Sequence, residues 1–134
     1  MATTLDPARS SYVENCAGCH GTQGTSFPAH VPQLRGRVGY FLCTTDSRAY
    51  ILRLPNVAQS SLSDDALAAT MNFVVFGLGG LSAAPEASRF TREEVAHARE
   101  QPLSGVSLVR TRASVVRQIG RQCHLPPAAL AYPG

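Results

Sequence analysis

The stretch Cys16-Ala17-Gly18-Cys19-His20 constrains the fold of this chain more tightly than any other. Its spacing puts two thiols on one helical turn with an imidazole directly beside them, the C-x-x-C-H attachment signature of a c-type haem. Thiols so placed can add to the two vinyl groups of the ring, and the adjacent His20 then reaches the iron. A chain built round such a segment has to enclose a flat apolar ring. A bare C-x-x-C would equally suit a redox dithiol or half of a zinc site, and the histidine that follows directly separates those readings. Zinc would need two more ligands, whereas Cys43, Cys123, His30, His97 and His124 supply no second knuckle-like pair. A thioredoxin-type site would require a strand before the motif, and the residues ahead of it carry a helix pattern.

The chain has 134 residues, which suits one domain with a modest core. Hydrophobic residues make up 44% of it, and no apolar run approaches the length of a membrane span, so the sequence predicts a soluble protein. All twelve basic residues are arginine, and the net charge is +3. Residues 91–134 hold six Arg against three Glu and form the more basic end. These arginines are spread at helical spacing with few aromatics between them, which predicts a solvated face rather than a nucleic-acid surface. Met1 runs into a helix start without an apolar stretch, so no signal peptide is visible. Covalent haem attachment requires the oxidising side of a membrane, which predicts a periplasmic protein whose leader was removed or replaced.

Asp6-Pro7 opens the first helix, with Tyr12, Val13 and Cys16 expected on its inner face. Gly21 to Ser26 is turn-rich, and short helices are expected over residues 39–54, stopped by Pro55. Ser63 caps the clearest helix, Asp64 to about Phe76. Leu62 and Leu67 form its hydrophobic staple, and Leu67, Met71, Val74 and Leu78 its apolar stripe. Thr91-x-x-Glu94 reads as a capping box for a helix to about Gln101, with Phe90 and Val95 as staple. A last helix, roughly Ser107 to Gln122, is expected to turn Val106, Val109, Ala113, Val116 and Cys123 inward. Arg110, Arg112, Arg117 and Arg121 then fall outward.

Beyond the motif, Val31-Pro32-Gln33-Leu34-Arg35-Gly36 resembles the segment of class I c-type cytochromes that supports the haem-ligating histidine. The resemblance implies that the Pro32 carbonyl accepts a bond from the His20 imidazole and that Leu34 packs on the ring. Leu62 to Phe73 is similar to the helix that closes such proteins against their first helix. Together these features imply an all-α, single-domain cytochrome c fold spanning 1–134, with a core of about 6–78 and a helical extension of about 79–134. They further imply one covalent haem c and one-electron transfer without enzymatic chemistry. The resemblance is greatest to small periplasmic cytochromes that accept electrons from a dehydrogenase and pass them to an oxidase or another cytochrome. Neither nucleic acid nor a membrane span enters that picture.

One departure is plain. The loop Leu54 to Ser61, where the family usually carries its methionine ligand, contains none. Met71, on the inner stripe of the closing helix, is the internal methionine, and it reads either as the distal ligand or as core. His30, His97, His124 and an open position are the alternatives. An open iron would suit a haem-based ligand-binding or sensing module, or a weak peroxidase. A third reading makes residues 80–134 a docking segment for a catalytic partner. Cys43 and Cys123 remain once the haem thiols are assigned; an oxidising compartment favours a disulfide between them over two buried thiols.

Overall fold

The computed structural model describes residues 7–20, 24–25, 34–105 and 107–125, with the side chains of Gly18 and Cys19 outside that set. Within them the chain is helical and holds no strand. Helix α1 (Pro7–Asn15) starts on a proline, whose missing N–H belongs to the first turn, where no partner is needed. It passes through one turn residue into α2 (Ala17–His20). The Cys16 N–H donates to the Tyr12 carbonyl at 2.8 Å and the His20 N–H to the Cys16 carbonyl at 3.0 Å. Helical i,i+4 bonding therefore runs through the motif and sets Tyr12, Cys16 and His20 along one face. Tyr12 is fully buried; Val13, expected beside it, is 41% exposed.

A 3₁₀ turn (Val38–Cys43) leads into α3 (Thr45–Arg53), which is capped reciprocally by Thr44 and Ser47. Pro55 ends α3 and at once occupies the first position of a short α4 (Pro55–Ala58), so the expected loop begins as a helical turn. Helix α5 (Asp64–Asn72) has the Ser63 cap, with the Ala66 N–H donating to Ser63 Oγ at 3.1 Å. Its stripe of Leu67, Met71, Val74 and Leu78 is buried throughout. From Phe73 to Leu78 the helix widens into a π turn, closed by the Gly79 N–H on the Val74 carbonyl at 2.9 Å. Rings of Tyr12 and Phe73 meet at 5.6 Å, which packs α1 against the end of α5. Each large apolar side chain buried there contributes roughly 1.5–3 kcal/mol.

Two glycines permit the next approach. A Cβ on Gly39 would overlap Ala83 and Ser82, and its N–H instead donates to Ser82 Oγ at 2.9 Å. Gly24, at φ +76°, turns the chain so that its carbonyl accepts from Leu34 and Arg35.

The C-terminal part joins the same buried cluster through Phe90, Val95, Ala98 and Ile119. In α6 (Arg92–Arg99) only half of the expected box forms. The Glu94 N–H donates to Thr91 Oγ1 at 3.2 Å, while the Glu94 carboxylate turns to Arg48 of α3 at 2.6 and 2.9 Å. Asn72 clasps the backbone of Phe90 with its amide, at 2.7 and 3.0 Å. Arg99 donates to the carbonyls of Ala58 and Ser60 and to Asp64, and Arg53 to the carbonyl of Gln101. Arg99 and Arg53 therefore tie helix ends together, because a guanidinium has five donors for carbonyls left open where helices stop, while Arg92, Arg110, Arg117 and Arg121 of the basic end are exposed as expected.

Helix α7 (Leu108–Cys123), capped by Ser107, packs Val116 and Cys123 on the core and leaves Arg110, Arg117 and Arg121 exposed as expected, and departs from the expectation at Val109, Ala113 and Arg112. Val109 and Ala113 are exposed, and Ile119 is fully buried. Half-buried Arg112, Val115, Val116 and Cys123 share Ile119's face. The inner stripe begins on an arginine, which hydrophobic periodicity assigns outward. Val106, also expected on the inner face, lies outside the described residues. Cys43 and Cys123 form a disulfide, Cα atoms 6.4 Å apart, across a separation of 80 residues.

Candidate functional site

The sequence motif opens onto a cavity of about 300 Å³, within the range of small-molecule and cofactor sites. Cys16 and His20 stand on one wall, beside Tyr12. They reach it because i,i+4 spacing stacks them on the inner face of α1 and α2. The rest of the lining includes aliphatic residues: Leu34 and Val38 after the motif, Ile51 from α3, and Val74 just beyond α5. Met71 is buried and reaches the same cavity from α5.

Leu54, Pro55, Asn56 and Val57, from the segment where the resemblance implies a methionine ligand, also line the cavity. A third wall comes from the first turns of α7, through Leu108, Val109 and Arg112. Arg112 lies over the Phe41 ring at 5.3 Å, and Phe41 stacks on Tyr50 at 5.8 Å. All three face the cavity, so a layered wall runs from α7 to α3.

The remaining sequence candidates fall elsewhere. Cys19 lies on the α2 backbone, its side chain outside the described residues, as are Pro32 and His30 altogether. His97 is exposed on α6, 3.9 Å from the Glu100 carboxylate. His124 is exposed and closes α7 in a left-handed conformation at φ 57°. Neither lines the cavity. Among the described residues, no three of His, Cys, Asp or Glu gather into a metal-binding cluster.

The Tyr12 hydroxyl is pushed up to about 12, first by burial and second by the nearby Cys16 charge, so it stays protonated at neutral pH. The mostly apolar lining suits an apolar group, with Cys16 and His20 on one helical face and Met71 also in the lining. The chemistry of this donor set is that of haem ligation.

Sequence reasoning passed over Tyr50 and Leu108, placed Val109 on the inner face of the last helix, and turned Arg112 outward. Tyr50 had a usable signal in the aromatic side chains of residues 39–54. For the α7 residues the signal was a stripe of Arg112, Val116, Ile119 and Cys123 at helical spacing, masked by its polar first member. In comparison with known proteins, the chain matches no family model, no curated protein sequence and no solved structure.

Proposed function

We propose that this protein is a one-electron carrier holding a single covalent haem c, with the fold of a class I cytochrome and a C-terminal helical extension. One observation carries the reading: Cys16 and His20 of the motif line an apolar cavity that Met71 also reaches. Cys16 and Cys19 would tether the ring and His20 would be the axial ligand, with Pro32 orienting the imidazole and Leu34 packing against the ring. When bound, the group supplies a metal that exchanges one electron without bond rearrangement. The chain's own work is to exclude water and hold the ligands still. Ile51, Val74 and the stacked Phe41 and Tyr50 keep solvent from the interior, and the neutral Tyr12 adds no charge beside the motif.

For the distal position we propose Met71. Its place on α5, rather than in the preceding loop, is a departure from the family pattern, and it is the methionine that lines this cavity among the described residues. Attachment chemistry and the disulfide fit an oxidising compartment, and the periplasm is the proposed location, with a dehydrogenase as electron donor. The experiment compares absorption spectra of wild type and Met71→Ala, both matured with covalent haem. A changed ferric spectrum is expected in the variant; an identical one would return Met71 to a packing role.

Asn56 favours a second reading. A polar amide at the cavity wall could donate to a small ligand on an open iron, as in a sensing module or weak peroxidase. Rapid, tight binding of carbon monoxide by the reduced wild type would support that reading and displace Met71 as ligand.

A further inference from the structure

Three residues that line the cavity, Leu108, Val109 and Arg112, stand on the first turns of α7, and much of that end of the helix is open to solvent. Leu108, Val109, Arg110, Ala113 and Ser114 are exposed. Ile119 is the fully buried side chain of α7 among the described residues, and it lies one turn before the bridged Cys123. Burial and bridge therefore hold the far end of the helix, away from the turns that line the cavity. The chain leading into α7 has a pin and then a swivel. Leu103 is pinned, its N–H donating to the Arg53 carbonyl at 2.8 Å. Two residues on, Gly105 turns in the left-handed region at φ +65°, where a glycine changes its backbone angles at little cost. The bridge itself is open to chemistry, because Cys43 is exposed and Cys123 half-buried. Cys43 also ends the 3₁₀ turn whose Phe41 lines the cavity, so the bridge joins two parts of the lining.

We propose that the Cys43–Cys123 bridge is a latch opened by thiol–disulfide exchange with a dithiol, and that its opening frees the first turns of α7 and uncovers the cavity. A thiolate of the dithiol attacks the Cys43 sulfur, the S–S bond breaks, and Cys123 leaves as a thiolate that takes a proton. The reagent's second thiolate then displaces Cys43 from the mixed disulfide, and Cys43 takes the other proton given up by the dithiol. The bridge gains two electrons, and the dithiol is oxidised to its own disulfide. Once the latch is open, closure of the long loop between the two cysteines no longer favours the docked helix, and Ile119 is left to hold it. The Gln118 amide donates to the Asp46 carboxylate at 3.1 Å in an exposed position, a bond for which water competes. The latch does not depend on which group the cavity holds.

The test measures hydrogen–deuterium exchange on the full-length protein as produced, before and after dithiothreitol, with alkylation and intact mass to count the thiols at Cys43 and Cys123. Dithiothreitol is expected to open the bridge in the folded protein, and amides of residues 111–118 are expected to exchange roughly tenfold faster or more. Amides of α5, which packs on α1 and α6, should keep their exchange rates. Cys43→Ser with Cys123→Ser should match the reduced protein and ignore dithiothreitol. Unchanged exchange in α7 after reduction would overturn the latch. Equal acceleration in α5 would overturn it too, by showing a staple of the whole fold. So would a bridge that resists dithiothreitol until the protein is denatured. None of these outcomes bears on the haem reading, which the mass of the bound group tests by itself.

Discussion

Two walls of one cavity were built in contrasting ways. The wall of α1 and α2 follows from five consecutive residues, because helical spacing alone sets Cys16 and His20 on one face and brings buried Tyr12 above them. The wall of α7 follows from no motif. It depends on a disulfide 80 residues long, on a buried isoleucine, and on an arginine whose place on the inner stripe contradicts its polarity. The difference shows that local chemistry can fix what a site holds, while its enclosure depends on long-range contacts that no short pattern encodes.

The largest expected effect lies on the first wall. Cys16→Ala combined with Cys19→Ala should abolish covalent attachment altogether, read as haem-linked absorption on a denaturing gel. Persistent attachment would remove the motif wall from the account.

Next comes the anchor of the second wall. Cys43→Ser with Cys123→Ser should destabilise the fold by roughly 4 kcal/mol, the loop-closure value for a bridge of this span, as read by denaturant titration. A loss near zero would mean that α7 is held by packing alone. That packing has its own check. Ile119→Ala and Leu52→Ala each remove a fully buried aliphatic side chain, one from each part of the molecule, and each should cost about 2–5 kcal/mol. If Ile119→Ala alone proved silent, the two walls would not share one core.

The alkaline limb sharpens the contrast further. Tyr12 has a folded-state value raised from 10.0 to about 12, so its stabilising contribution is complete below pH 10 and is lost as pH rises towards 12. That loss is on the order of 2–3 kcal/mol and should vanish in Tyr12→Phe. In the matured protein a thioether at Cys16 carries no charge, leaving burial as the cause. The smallest effect is at the junction of α3 and α6, where Glu94→Gln should cost about 1 kcal/mol through its paired bonds with Arg48.

Much of the helical frame was legible from single positions. Ser63 with Asp64 and Asp65 marked the start of α5, and the stripe from Leu67 to Leu78 gave its buried face. Less legible were features where one residue type plays two parts. Pro55 stops α3 and starts α4, so a loop was expected where a helical turn forms. Glu94 fits a capping box by spacing, yet its carboxylate gains two charged bonds from Arg48 across the core. Arg112 reads as surface by polarity, and tertiary contact with Phe41 draws it inward. The π turn at Phe73–Leu78 had no composition cue at all.

The central claim is that Cys16, Cys19 and His20 hold one covalent haem in this cavity. The intact mass of the chain, produced together with a c-type haem maturation system and stripped of non-covalent ligands in acid, tests it most directly. The account predicts a single species heavier than the polypeptide by one haem, with the added mass on the peptide containing Cys16 and Cys19. A chain at its bare polypeptide mass would contradict it.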